Sequence, residues 1–560
     1  MRPALLLLVF ALMLDVIASD DVDYLYRLPT YVRPISYDLK LSIDSESQTT
    51  SGEVSIEVYC LKNTTEVTLH AHPSYLLITH ATCSLLFDND TYYFDAPTAD
   101  WRSQTLTFSS FNHTTLMQEG SIYTLRFWFN ATLSTDGWGL SWHDDGAGGV
   151  WLNALFQLSH ARRLFPCFDE PKWKASFKLE LWLSGDFALN SYVALSNGVS
   201  TKMAVNEELV MWTFDPTPPI STYLFTMSIG KFASYCEVDV ALREELCVWQ
   251  FAHLQDWHAS AAYTIHLAAK YDFAMTAYLN IDSPSKLHFL IVPVRVNGME
   301  SYGLISIKSN LWPTSTGLEE NSTGDSLFES RQRAAFEYTV VHELAHQWFG
   351  NLVTPTYWSH VWLSESLASL ISGFDAEENA EVISDLSEDT LVSDKWAEGI
   401  SRLVYRKGTA VLRMLQSVIG HALLRLVLLD YLDHYQFAAA STEDFLTVLA
   451  DVTSTHNLSF DASAFLKDWL YQGSYPIVEI YFDKETVEFY FSQHPRLGDK
   501  LSRWMIPIWS TCLLSNVTNL WWISKKGLLL NLADVTSSND TAAIVWNKYE
   551  PVYYEISKRY

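Results

Sequence analysis

His342-Glu343-Leu344-Ala345-His346, with Glu365 nineteen positions after it, is the stretch that decides how this 560-residue chain is read. On an α-helix, residues four apart lie about one turn up the same face. His342 and His346 can therefore present two imidazoles to one ion, while Glu343 projects at the side of that face. The spacing predicts a helix from about Glu329 to Phe349, stopped by Gly350 and then Pro355. A second helix is expected to bring Glu365 back to the same ion. Two imidazoles and one carboxylate leave a fourth position open, which is the donor set of catalytic zinc. The expectation is one Zn2+ per chain on His342, His346 and Glu365, with Glu343 as general base toward a water that the ion activates. Trp348, Phe349 and Trp362 would supply the dry surround in which such ligands bind tightly.

Outward from the motif, Ala-rich sequence with helical periodicity begins near Asp256 and continues through Tyr471, including Val404 to Ile419 and Thr442 to Ala450. Before it, to about residue 250, apolar and polar residues alternate with strand-forming types. Tyr37-Asp38-Leu39-Lys40-Leu41, Val54-Ser55-Ile56-Glu57-Val58 and Tyr123-Thr124-Leu125-Arg126-Phe127 are examples. After it the period of two returns, in Ile477 to Tyr481 and Val487 to Phe491. The predicted architecture is multi-domain α+β. It comprises a signal peptide (1–19), an N-terminal β domain (20–250), a mostly helical catalytic domain (251–473) and a small C-terminal β-sandwich (474–560).

Such a length exceeds a single core, and 48% hydrophobic with 14% aromatic residues describes a core-rich globular protein. Asp and Glu outnumber Lys and Arg by 65 to 37, a formal net charge of -28, which argues against nucleic acid and suits cationic or amine-bearing ligands. Arg2, the apolar run Ala4 to Leu14 and the small residues Ala18 and Ser19 read as a secretory signal. Its apolar run is shorter than the ~20 residues that a membrane span needs, and no other stretch qualifies. Asn63, Asn89, Asn112, Asn130, Asn321, Asn457, Asn516 and Asn539 each head a glycosylation sequon. The expected location is therefore secreted and extracellular, with cell-surface association as the alternative. Of six cysteines, Cys236 with Cys247 and Cys60 with Cys83 are candidate local pairs, a connectivity that sequence leaves open; Cys167 and Cys512 read equally well as buried thiols.

Several segments in this order resemble the M1 family of zinc aminopeptidases. His342 to Thr354, HELAHQWFGNLVT, is similar to that family's zinc helix, and Trp362 to Ala368, WLSESLA, to its WLNEGFA segment. Asn297-Gly298-Met299-Glu300-Ser301 stands where the family has GAMEN, and Tyr405-Arg406-Lys407-Gly408 resembles its Y-x-K-G. Ala161-Arg162-Arg163, Phe165-Pro166-Cys167-Phe168-Asp169-Glu170-Pro171 and Tyr26-Arg27-Leu28-Pro29 resemble further signatures. The resemblance implies a β saddle, a thermolysin-like catalytic domain and a β-sandwich, then a helical domain that caps the cavity and through which relatives dimerise. The sequence ends after the sandwich, so a monomer is expected.

By the same resemblance, Tyr405 stabilises the oxyanion, Glu300 binds the substrate's α-ammonium, Gln157 assists it, and Gly298 lets backbone approach the substrate. Asn297 for Gly, Ser301 for Asn and His360 for Asp depart from the pattern, and the stretch from Glu365 to Tyr405 is roughly twenty residues shorter. The leading expectation is a zinc metallo-aminopeptidase acting on peptides with a free N-terminus. The alternative is a catalytically weakened or inactive secreted binding protein of the same fold. A thermolysin-type endopeptidase would require Glu300 to be irrelevant.

Overall fold

Alternation of apolar and polar side chains builds the first half of the chain into sheets, because successive residues of a strand face opposite sides. The computed structural model describes residues 27–46, 49–85, 91–109, 117–189, 191–239, 244–284, 286–313, 327–373, 389–397, 399–456, 458–536, 541, 544–547, 552 and 554–559. The predicted signal peptide, the sequons at Asn89, Asn112, Asn321, Asn457 and Asn539, and part of the shortened stretch after Glu365 lie outside the described residues. The chain divides into two compact units. The first is Met1–Ser234 with Trp249–Gln255 and Ser301–Leu304; the second is Tyr235–Val248, Asp256–Glu300 and Ile305–Tyr560.

In the first unit an eight-stranded sheet has Val32–Asp44 between Thr49–Cys60, antiparallel, and Ser176–Ser184, parallel. Ile122–Thr132 pairs with the far side of Thr49–Cys60. Leu39, Leu41, Ile43, Val54, Ile56, Leu125 and Phe127 point to the buried face and are fully enclosed. A four-stranded and a three-stranded sheet complete this unit among the described residues. The segment around Cys167 is held by buried polar contacts. Arg162 Nε bonds Asp169 Oδ2 at 2.9 Å, Thr222 Oγ1 donates to Asp169 Oδ1 at 2.7 Å, and His70 Nδ1 accepts from the Asp169 N–H at 3.2 Å. That signature is thus a structural brace, and burial pushes the Cys167 thiol well above its ordinary range.

The second unit carries the helices His258–Leu279, Leu327–Ala345, Trp362–Ile371, Arg402–Ile419, His421–Tyr435, Thr442–Ser454 and Ala462–Tyr471. Their starts use side-chain caps where the sequence offers them: Ser401 accepts from Leu403 N, Ser441 and Asp444 form a capping box, and Asp461 accepts from Ala464 N. The region is less helical than its periodicity suggests. Leu287–Val292 and Leu304–Lys308 join Phe232–Asp239, Glu244–Phe251 and Gly298–Met299 in a five-stranded sheet. The apolar run Phe289-Leu290-Ile291-Val292 within the first of these strands is the pattern of a segment buried on both faces, which periodicity does not separate from helix. Toward the C-terminus a four-stranded sheet and a three-stranded sheet face one another, Trp546 of one packing on Phe489 and Phe491 of the other at 5.4 and 5.1 Å between ring centres.

Cys236 and Cys247 form a disulfide across adjacent strands. The second candidate pair is not made: Cys60 and Cys83 are both free and buried. Their strands are separated in the sheet by Ile122–Thr132. Two strand spacings of ~4.8 Å put the backbones beyond the ~7 Å limit for a bridge.

Candidate metal centre

The motif helix, Leu327–Ala345, ends four residues earlier than the spacing predicts. His346 lies in the turn that follows, where the His346 N–H still donates to His342 O at 3.1 Å, so the two imidazoles keep their one-turn offset. The chain then tightens, with Gln347 N bonding Leu344 O and Trp348 N bonding Ala345 O. Gly350, at φ +129°, makes the reversal in a conformation that favours glycine.

Glu365 sits in the first turn of Trp362–Ile371 and returns to the histidines. His342 Nε2 and His346 Nε2 are 3.0 Å apart, and Glu365 Oε2 stands 3.3 Å from the first and 3.2 Å from the second. Donors ~2.0–2.1 Å from a tetrahedral zinc stand about 3.3–3.4 Å apart, so these three edges fit that ion closely. All three side chains are buried. Both remaining ring nitrogens are held: His346 Nδ1 donates to Phe349 O at 2.9 Å with Ser364 Oγ at 3.2 Å, and His342 Nδ1 meets Ser369 Oγ at 3.3 Å. Holding Nδ1 this way fixes the tautomer that leaves Nε2 free to ligate. Trp348, Phe349 and Trp362 are buried, and the Phe349 carbonyl is the one that meets His346 Nδ1.

Glu300 and Glu343 converge with His346, their carboxylate oxygens and the imidazole nitrogen lying within 4.8 Å of one another. The Glu300 backbone is clamped to the end of the motif helix: its carbonyl accepts from Asn351 Nδ2 at 2.8 Å and from Gln347 Nε2 at 3.3 Å. Gly298 presses on Glu343 itself, since a Cβ there would stand 2.5 Å from the Glu343 Cδ. Tyr405 hydrogen-bonds the Glu365 carboxylate, and its ring centre lies 5.8 Å from that of His342. It is carried by Arg402–Ile419, which reaches the Glu365 helix closely because Gly408 has no side chain: a Cβ would come 2.7 Å from Ser366 Cβ. Gln157 belongs to the first unit, directly after the strand Val150–Leu155; the cluster described here is built by the second unit's residues. His360, where the resemblance leads one to expect Asp, meets the start of the helix Thr442–Ser454, its Nδ1 lying 2.9 Å from Thr442 Oγ1.

The electrostatics follow from three carboxylates in one dry space. Burial pushes the Glu300 carboxyl up to about 7, the His346 charge opposing and Glu365 adding to the rise. Burial likewise drives Glu343 well above the carboxylate range. For His346, burial lowers the pKa, but the carboxylates of Glu365 and Glu300 outweigh it and carry it up to about 10. Burial raises Glu365, yet the His346 charge and the bonds from both imidazoles bring it down to about 2.

The motif and its downstream carboxylate pointed to His342, Glu343, His346 and Glu365, and the resemblance to Glu300, Tyr405 and Gly298. They did not single out Ser364 and Ser369, or Gln347 and Asn351. The signal for each is positional: Ser369 is four residues beyond Glu365, and Gln347 and Asn351 continue from Glu343 at steps of four.

Residues 33–224 match the family model of the peptidase M1 N-terminal domain, and residues 270–399 and 372–469 match that of the peptidase family M1 domain. The chain belongs to peptidase family M1. It is 27% identical over 522 residues to aminopeptidase M1 of Arabidopsis thaliana, covering 87% of this chain and 55% of that protein. It is 26% identical to aminopeptidase N of Lactococcus lactis, over 85% of this chain and 55% of the relative. To the human thyrotropin-releasing hormone-degrading ectoenzyme it is 27% identical, over 81% of this chain and 43% of the relative. This M1 chain spans about half the length of the curated relatives it matches.

Proposed function

We propose that the protein is a zinc aminopeptidase that removes N-terminal residues from peptides. The observation that carries this reading is the convergence of His342, His346 and Glu365 at tetrahedral spacing with two further buried carboxylates, Glu343 and Glu300, against the same imidazole. Zinc, when bound, supplies Lewis-acid chemistry that activates water near neutral pH. Glu343 accepts the proton of the attacking water and passes it to the departing amine. Glu300 holds the substrate's α-ammonium, a group with a pKa of ~8 and cationic at neutral pH, and so registers the first peptide bond at the centre. Tyr405 donates its hydroxyl to the oxygen on which charge develops. Gly298 serves this arrangement by leaving room for Glu343.

The eight sequons and the Cys236–Cys247 disulfide support action outside the cytosol, in the secretory pathway or beyond it. Among the described residues no single helix is long and apolar enough to cross a membrane.

The test is zinc content with turnover of matched free and N-acetylated peptides. Acetylation removes the charge that Glu300 pairs, a loss of ~3–5 kcal/mol and more than about a hundredfold in rate. Glu343→Gln should keep zinc and lose most turnover. A folded preparation without zinc would sink the metal reading; equal rates on both peptides would favour an endopeptidase; bound zinc without turnover on either would leave a binding protein.

A further inference from the structure

The exposed face of the eight-stranded sheet carries a groove of about 350 Å³, and its composition is unlike that of an ordinary solvated sheet. Two cross-strand rows floor it. In one, Trp182, Ser42, Ser51 and Asn130 stand side by side on four consecutive strands. In the next, Lys40 pairs with Glu53 and Glu53 with Trp128. The small serines leave a trough between half-buried indoles, while Asn130 is exposed at one end. Three strand spacings make the Trp182-to-Asn130 row about 14 Å long, the reach of a short oligosaccharide.

Asn130 heads Asn130-Ala131-Thr132, so the amide at the end of the trough is also a glycosylation acceptor. Trp128 is two residues before it in the strand Ile122–Thr132, and residues two apart share a face. A sugar attached at Asn130 therefore starts beside the Trp128 ring, whose face suits the apolar C–H face of a pyranose. Lys40, Glu53 and the two serines offer donors and acceptors for hydroxyls along the row. Neither Asn63 nor Asn516, the other described sequons, lines this groove.

We propose that Asn130 is an N-glycosylation site whose proximal sugars lie in this groove, stacked on Trp128 and extending toward Trp182. Attachment forms a bond from Asn130 Nδ2 to the sugar C1 and breaks the C1–O bond of a polyprenyl-diphosphate-linked oligosaccharide. The diphosphate leaves with the bonding electrons and the amide gives up one proton. The proposal goes beyond the peptidase reading, and its test reads no peptidase activity.

The full chain would be produced in a glycosylating secretory host and Asn130 followed by glycopeptide mass spectrometry during release by peptide N-glycosidase. Under native conditions the Asn130 glycan should be released about tenfold more slowly than that at Asn63, the factor a single aromatic contact supplies, and denaturation should erase the difference. Trp128→Ser should bring native release at Asn130 to the Asn63 rate. Should Trp128→Ser not fold, Trp182→Ser and the thermal midpoint serve instead: Thr132→Ala, which removes the acceptor, should lower the midpoint of the glycosylated protein by a few degrees but leave enzymatically deglycosylated samples alike. An unmodified Asn130 in the secreted, folded protein would overturn the proposal. So would native release that is as fast as at Asn63, or a thermal midpoint indifferent to Thr132→Ala. A free oligosaccharide that binds the unglycosylated groove as an independent ligand, with Asn130 unmodified, would instead assign the groove to an external glycan and refute attachment.

Discussion

Gly298 sets the position of the most sensitive side chain in the centre. Its missing Cβ makes room for the Glu343 carboxylate, and any larger residue would push that carboxylate aside or move the strand that bears it. Gly298→Ala should thus retain zinc, because the three atoms nearest the new methyl group all belong to Glu343, yet lose about a hundredfold or more in kcat/KM, as misplacement by ~1 Å does. Elemental analysis beside steady-state kinetics checks both halves; an active Gly298→Ala enzyme would mean that Glu343 is not the base. At this scale the sequence was informative wherever a residue's role depends on spacing along one helix. His342, Glu343 and His346 declare themselves so. Ser364 and Ser369 do not, since a serine on a helix is common and its task here is set by where a histidine ring from another helix arrives. The closeness of Gly298 to Glu343 is likewise a contact across elements, which no local pattern encodes.

Between elements, the approach of the Tyr405 helix to the Glu365 helix depends on two small residues. Ser366 Oγ donates to Val404 O at 2.8 Å, and Gly408 leaves the space for it. Gly408→Ala should overpack this contact at a cost of about 1–3 kcal/mol and draw Tyr405 off the centre. Ser366→Gly should relieve part of that cost in the double variant, so that the two substitutions couple favourably. Denaturation of the two single variants and the double variant measures the coupling; strict additivity would show that the helices do not meet there. Helices with caps and a polar face were legible, as Arg402–Ile419 and Thr442–Ser454 show. The strands Leu287–Val292 and Leu304–Lys308 were not, because a strand buried on both faces lacks alternation. The Cys60–Cys83 pairing failed for a topological reason: nearness in sequence said nothing of the strand inserted between them.

Over the whole molecule, buried and half-buried histidines contribute to the response to acid. Burial lowers His160 and His288 to about 3, and His70 well below its ordinary value, where its Nδ1 must stay unprotonated to accept from Asp169 N. A folded-state pKa below the unfolded value of ~6.5 means that the unfolded chain takes up a proton that the native state refuses. Their contribution is present above pH ~6.5 and is lost as pH falls through the window toward ~3. The zinc-loaded protein should therefore lose thermal stability steadily below pH ~6.5, and His160→Gln should flatten that slope. Melting curves at stepped pH decide it; parallel curves for wild type and variant would mean that His160 is hydrated.

The convergence of Glu300, Glu343 and Glu365 has a thermodynamic corollary. Three carboxylates carry three negative charges, a divalent ion offsets two, and an ammonium offsets the third. With all three carboxylates ionised the centre is electrically neutral only when both guests are present, so each guest should raise the affinity of the other by one and the same factor. A peptide analogue with a free amine should slow the loss of zinc to a chelator, whereas its acetylated counterpart should not. Identical chelation rates with the two analogues would show that the charges are compensated elsewhere. On this view, the third carboxylate makes the protein hold its metal more tightly when it has a substrate to work on.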